Sequence, residues 1–135
     1  MDTHLSEIAR TCLEGAESNT MTFPQIVGTL MQEGFEGYAI DFRRASATYY
    51  LPDGDSVVLP TQHGGAPIAS ALDVAAVQAA IREAQQLVPG YTYAGFCAKV
   101  MAAGCAGYLV SFIGRRAVYL GRTAETHVEH FPRSA

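Results

Sequence analysis

The stretch Gly34-Phe-Glu-Gly-Tyr-Ala-Ile-Asp-Phe42 returns seventy residues later as Gly104-Cys-Ala-Gly-Tyr-Leu-Val-Ser-Phe112. The alignment extends without a gap, so that residues 22–62 match residues 92–132 at a constant offset of 70. About nine of roughly forty aligned positions are identical, where the composition predicts about two or three by chance. The chain is therefore expected to build one supersecondary unit twice. The identical residues of the first copy are Thr22, Met31, Gly34, Gly37, Tyr38, Phe42, Ala47, Tyr49 and Val58.

The spacing of apolar residues predicts the same order of elements in both copies, namely helix, helix, strand, strand and strand. Apolar residues at helical spacing predict a helix over 3–16, and Thr22 heads a capping-box pattern for a second helix that Gly34 stops. In the second copy, Ser70 is the expected cap of the first helix and Pro89-Gly90 its end. Alternation at period two predicts the strands. They cover 38–42, 47–51, 56–59, 108–112, 117–120 and 126–131.

Each copy is too small to fold alone, because three strands with two helices bury little apolar surface. The predicted fold is α+β, an internal duplication of a helix-helix-strand-strand-strand unit with antiparallel pairing and pseudo-twofold symmetry. Repeats of about 1–62 and 68–132 form a single domain 1–135, joined by a Gly/Pro linker near 60–67. The pattern leaves open whether the strands of the two repeats make one continuous sheet.

Composition excludes several classes of protein. Hydrophobic residues make up 49% of the 135 residues and charged residues 16%, with a net charge of −4. A packed core is therefore expected, and general nucleic-acid binding is not. No apolar run approaches the ~20 residues of a membrane span, and residues 1–10 lack the apolar core of a signal peptide. Three cysteines without metal-ligand spacing predict buried, reduced thiols in the cytoplasm, and no cofactor is expected.

Three stretches together resemble a known family. They are Thr48-Tyr-Tyr-Leu-Pro-Asp-Gly54, Tyr93-Ala-Gly-Phe-Cys97 and Tyr119-Leu-Gly-Arg-Thr-Ala-Glu-Thr-His-Val-Glu-His-Phe-Pro132. They resemble a small bacterial family catalogued as domain of unknown function 1398, sometimes labelled phage envelope protein and found on prophages. The resemblance implies a cytoplasmic domain with a duplicated fold that forms dimers. It implies no established activity and assigns no catalytic residue.

One candidate site lies on the last predicted strand. His127 and Glu129 share a face of this strand, and such a pair could act as general acid and base, or bind a metal together with His63 or His130. The alternative is a solvated strand face or a hydrogen-bonded pair near the sheet edge. Since Val128 aligns with Val58, which we assign to the core, His127 and Glu129 are expected to point away from the core.

A second candidate site combines Asp41, Arg43, Arg44 and Tyr50. A carboxylate, two guanidinium groups and a phenol could bind a small anionic ligand if the predicted hairpin brings them together. The alternative is an exposed cross-strand ion pair. The seven tyrosines could line a pocket, although most fit the inner face of the sheet, where aromatic pairs stabilise a core.

Three hypotheses about function follow. The leading one is a small, soluble, non-enzymatic ligand- or protein-binding module of bacterial or prophage origin that forms a homodimer and does not enter membranes. The second is a small enzyme or metal-binding protein that uses His127 and Glu129. The third is a prophage-encoded regulator that contacts a host protein. The sequence contains no catalytic motif that decides among them.

Overall fold

The computed structural model describes residues 1–132 and has an α+β fold of four helices and one six-stranded antiparallel sheet. The predicted α+β class with antiparallel pairing is confirmed. The last three residues of the predicted domain 1–135 lie outside the described residues. The elements are α1 (Thr3–Glu17), α2 (Phe23–Gln32), β1 (Gly37–Asp41), β2 (Ser46–Tyr50), β3 (Ser56–Pro60), α3 (Val74–Gln86), α4 (Tyr93–Ala102), β4 (Cys105–Ser111), β5 (Arg116–Gly121) and β6 (Thr126–His130).

The six strands form one continuous sheet in the order β3-β2-β1-β4-β5-β6. The first strand of each half lies at the centre, where β1 pairs with β4 and Gly37 lies opposite Ser111. Both glycines of this junction are needed for close approach. A Cβ atom on Gly37 would collide with the carbonyl oxygen of Val110, and one on Gly107 with that of Ile40. These repeated glycines therefore allow the two halves to pair.

All four helices pack on one face of the sheet. The fully buried centre combines Phe42 and Val110 from the strands with Leu30, Val77 and Val100 from the helices. Within residues 1–132, no helix or strand covers the opposite face of the sheet, which we call the open face. None of the helices in this part of the chain has the length and apolar character that crossing a bilayer requires.

The capping box predicted at the start of α2 is confirmed, whereas the cap predicted for α3 is not. At α2 the Thr22 hydroxyl accepts from the backbone nitrogen of Gln25 at 3.3 Å, and the Gln25 side chain accepts from that of Thr22 at 2.8 Å. The prediction that Ser70 caps α3 is wrong. Asp73 caps this helix instead, because its carboxylate accepts from the backbone nitrogen of Ala76 at 3.1 Å, directly before the apolar stripe begins.

The predicted orientation of the last strand is also wrong. Val58 and Val128 lie on the open face, where they are 62% and 40% exposed. His127 and Glu129 therefore point toward the helices, on the same side as Tyr119. Valine on an exposed strand face is common because β-branched side chains suit extended backbone, so its presence does not identify the buried face.

Candidate ligand-binding cavity

A cavity of about 550 Å³ lies between the helices and the inner face of the sheet. This volume is within the range of about 300–1,000 Å³ that is typical of small-molecule sites. The sheet supplies four tyrosines to its wall, and the helices and the segments next to them supply mainly apolar side chains. Tyr38, Tyr49, Tyr108 and Tyr119 form the sheet side, and Cys12, Leu13, Ile26, Ile81 and Phe96 belong to the helical side.

Strand pairing explains why the four sheet tyrosines gather. Tyr38 lies directly opposite Tyr49 in β1 and β2, and Tyr108 lies opposite Tyr119 in β4 and β5. The ring centroids of these two pairs are 5.4 and 5.2 Å apart. Because β1 also pairs with β4, the rings of Tyr38 and Tyr108 approach to 6.4 Å. The four rings thus form one aromatic wall across the centre of the sheet.

Helix α4 adds the Tyr93 hydroxyl to this wall, and the buried Cys97 thiol lies beside Tyr93 in the core. The Tyr93 hydroxyl lies 2.6 Å from that of Tyr108, which makes a hydrogen bond between helix and sheet. Burial raises the pKa of both tyrosines well above the ordinary value, so both remain neutral and can donate or accept hydrogen bonds. Burial also raises the pKa of the Cys97 thiol to about 12. Cys97 is therefore a protonated core side chain and a poor nucleophile at neutral pH.

Charge reaches the cavity at one edge, through strand β6. Glu129 and His130 line the cavity, and the Glu129 carboxylate lies 3.0 Å from Nε2 of His127. At this distance His127 and Glu129 form a hydrogen bond, and both side chains are half-buried. Within residues 1–132, no lysine or arginine lines the cavity. Glu129 is therefore the acidic group of a site lined mainly by aromatic and apolar side chains, with a few neutral polar ones.

Exposed apolar side chains lie at the rim of the cavity. Phe23 at the start of α2 packs edge-to-face against Phe131, with ring centroids 5.7 Å apart. Leu87, in a left-handed conformation after α3, is also exposed and lines the cavity. Large apolar groups left partly exposed around a concave site are typical of an entrance for an apolar ligand.

The predicted anion site of Asp41, Arg43, Arg44 and Tyr50 is not assembled. Asp41 pairs with Ser46, whereas Tyr50 pairs with Gly37 at the other end of the same hairpin. Four residues of strand separate the two ends, or about 13 Å. The Asp41 carboxylate instead accepts from the backbone nitrogens of Arg43 and Arg44, at 2.9 and 3.1 Å, and shapes the turn between β1 and β2.

The candidate metal ligands are also not brought together into a metal site. His63 lies between Glu17 and the ring edge of Tyr93, and its buried Nε2 has no hydrogen-bond partner in the described chain. The Glu17 carboxylate lies 3.7 Å from this nitrogen, which is too long for a hydrogen bond. Among residues 1–132, no three His, Cys, Asp or Glu side chains lie close enough together to bind a metal.

Comparison with known proteins adds no assignment: no protein-family model matches this sequence, and no curated protein shows significant similarity to it. The resemblance to the domain of unknown function 1398 family therefore stays a prediction.

Proposed function

We propose that the protein is a non-enzymatic binding module for a small, largely apolar molecule held in the tyrosine-lined cavity. The observation that carries this proposal is the cavity itself, about 550 Å³ between the helices and an aromatic wall. Partly open, concave sites of this volume with mainly apolar and aromatic linings are where proteins commonly bind small molecules. The cavity therefore supports a binding function.

The chemistry of the lining supports binding over catalysis. By raising their pKa, burial holds the Tyr93 and Tyr108 hydroxyls in their neutral forms, which suits hydrogen bonding to a ligand and does not suit nucleophilic attack. The second candidate, an enzyme, would use the hydrogen-bonded pair of His127 and Glu129 at the cavity edge. That pair could transfer a proton only to a substrate bound next to it.

Filling the cavity should abolish binding, and the chain offers a matched control. Ala84 lines the cavity and Ala79 is exposed on the same helix α3. We expect Ala84→Phe to weaken binding of the neutral dye N-phenylnaphthylamine by at least about tenfold, because the added ring occupies the space of the ligand. Ala79→Phe should bind as the wild type does.

Dye fluorescence measures this directly, because the chain contains no tryptophan to interfere. Circular dichroism of each variant confirms that the fold is kept. If the dye fails to bind the wild type, or binds Ala84→Phe and the wild type equally, the cavity is not the binding site and this function is wrong.

We also propose that the module is a homodimer, formed by packing the open faces of two sheets. One uncharged residue from each strand forms a row across this face, and adjacent members of the row are direct partners in the strand pairing. Leu109 in the central strand is 43% exposed. Such a row is able to exclude water if a second sheet covers it. In order across the sheet, the row is Val58, Thr48, Ala39, Leu109, Val118 and Val128.

The size of the open face fits a second copy. Six strands at about 4.8 Å spacing and five residues at about 3.4 Å give a footprint of roughly 500 Å². Two such faces bury about 1,000 Å² together, which is near the minimum for a specific interface. A second copy presents the same uncharged row. A second copy therefore supplies both the area that a specific interface needs and a surface without charge.

Charge placed in the row should separate the copies. Leu109→Glu is expected to give a monomer at concentrations where the wild type is a dimer, because a carboxylate would be desolvated between two sheets. Ile113→Glu is the control, since Ile113 lies in the turn after β4 and is 82% exposed. Light scattering after size-exclusion chromatography measures the mass of each. A monomeric wild type, or a dimeric Leu109→Glu variant, contradicts this interface.

The duplication and the location in the cytoplasm are parts of the same proposal. Gly34 and Gly104 both have φ of +93°, and Thr22 and Thr92 both cap the second helix of their half. These equivalences support an origin by duplication and a pseudo-twofold axis between β1 and β4. The cysteines Cys12, Cys97 and Cys105 are free and buried, which supports a reducing compartment.

A further inference from the structure

We propose that the cavity selects a cationic ligand, namely an apolar body that carries a protonated amine or a quaternary ammonium group held beside Glu129. This inference rests on the proposed binding function and deepens it. The inference is based on the position of the Glu129 carboxylate at the edge of an aromatic wall. Within residues 1–132, no lysine or arginine lines the cavity.

The strand pairing places Glu129 where it can meet a ligand. Glu129 lies directly opposite Ala117 on the inner face of the sheet, and both residues line the cavity. The small side chain of Ala117 leaves the carboxylate with little steric cover from its neighbour. Tyr119 lies two residues further along β5. Burial raises the pKa of the Tyr119 hydroxyl, and the nearby Glu129 carboxylate raises it further.

The aromatic wall favours the same charge. The faces of aromatic rings carry negative potential, and a cation within about 6 Å of a ring centroid is attracted by it. Six of the seven tyrosines line the cavity, and burial keeps Tyr119 and Tyr108 neutral by raising their pKa. A positive centre beside Glu129 would therefore meet a carboxylate and ring faces together, while an anion would be repelled by both.

The basic group paired with the Glu129 carboxylate is the His127 imidazole, which carries no fixed charge. His127 makes a hydrogen bond to Glu129, which a neutral imidazole can also donate. His130 is exposed to solvent, and the guanidinium group of Arg115 lies 3.4 Å from the carbonyl oxygen of Pro132, where it donates a hydrogen bond. The net charge of −4 on the whole chain also favours the approach of a cation.

Three matched probes test the charge preference. Naphthylethylammonium, naphthylethanol and naphthylacetate share one fluorescent ring system and carry a positive, zero and negative charge, and the anisotropy of each measures its dissociation constant directly. We expect the cation to bind about tenfold more tightly than the alcohol, with the anion weakest. In Glu129→Gln, the preference for the cation over the alcohol should fall several-fold, because the carboxylate is removed and the ring faces remain.

The control variant is Glu7→Gln, which removes the same charge from an exposed position on α1. It should leave all three affinities unchanged. Equal binding of the cation and the alcohol to the wild type, or the same preference in Glu129→Gln, overturns the charge selection and leaves the binding function standing. Tightest binding of the anion overturns it as well. If none of the three probes binds, the proposed binding function itself falls.

Discussion

Replacing Gly104 by alanine is expected to lower the free energy of unfolding by about 2–5 kcal/mol, whereas the same change at Gly34 should cost about 1–2 kcal/mol. Both glycines have φ of +93°, a conformation that side chains with a Cβ atom adopt only with strain. The backbone strain is therefore common to the two positions. The difference comes from the space around each Cβ atom.

At Gly34 no heavy atom lies within 4 Å of an added Cβ. At Gly104 the same atom would collide with the carbonyl group of Ala71 and would lie 2.9 Å from Cα of Leu72. The loop cannot easily move away, because the backbone nitrogen of Asp73 donates to the carbonyl oxygen of Ala103 at 2.7 Å. Urea denaturation of Gly34→Ala and Gly104→Ala measures both losses. Equal losses of stability in the two variants would show that the loop of Ala71 and Leu72 moves away from the new Cβ atom, and that backbone strain alone causes the loss.

Replacing Tyr108 by alanine should cost about 3–5 kcal/mol of stability, since it removes a large buried ring and enlarges the adjacent cavity. The ring lies within 6.5 Å of the ring centroids of Tyr38, Phe42, Phe96 and Tyr119, so four aromatic contacts are lost together. Tyr108→Phe keeps these contacts and loses only the hydrogen bond with Tyr93. Its expected cost is about 0.5–1.5 kcal/mol.

Thermal or urea unfolding separates these two contributions. Ile113→Ala is the control for a large apolar side chain at an exposed position, because Ile113 is 82% exposed. It should change stability by no more than about 0.5 kcal/mol. If Tyr108→Ala is as stable as this control, the aromatic wall does not belong to the core. If Tyr108→Phe is as unstable as Tyr108→Ala, the hydroxyl contact outweighs the packing of the ring.

Local sequence patterns were sufficient to predict the helices and strands of this fold. The faces of the strands and the residues that meet across the sheet depend on strand pairing, which these patterns do not determine. The capping box at Thr22 and the burial of Tyr38 depend on neighbours within a few residues, and both could be predicted. The face on which His127 lies depends on which side of β6 meets the helices, and a period of two is equally consistent with either side. The residues of the predicted anion site are separated for a different reason, because the register of the hairpin places Asp41 and Tyr50 at its opposite ends.

The cavity could be predicted only in part. The sequence indicates that tyrosines line the inner face, since Tyr38, Tyr108 and Tyr119 alternate with smaller outward residues. The volume in front of them depends on how far the helices stand from the sheet, which is set by packing across the whole domain. The contact between Phe23 and Phe131 at the rim is also tertiary, because more than a hundred residues of the chain separate the two rings in sequence.

The central pairing of β1 with β4 has a consequence for synthesis on the ribosome. When the first half has emerged, β1 has an unpaired edge, and its partner is encoded about 70 residues later. At about 5–20 residues per second, this edge waits roughly 4–14 s for β4. During that time it can pair with β4 of another chain and form an exchanged dimer. The rate of translation between the two halves should therefore influence how much correctly folded protein the cell obtains.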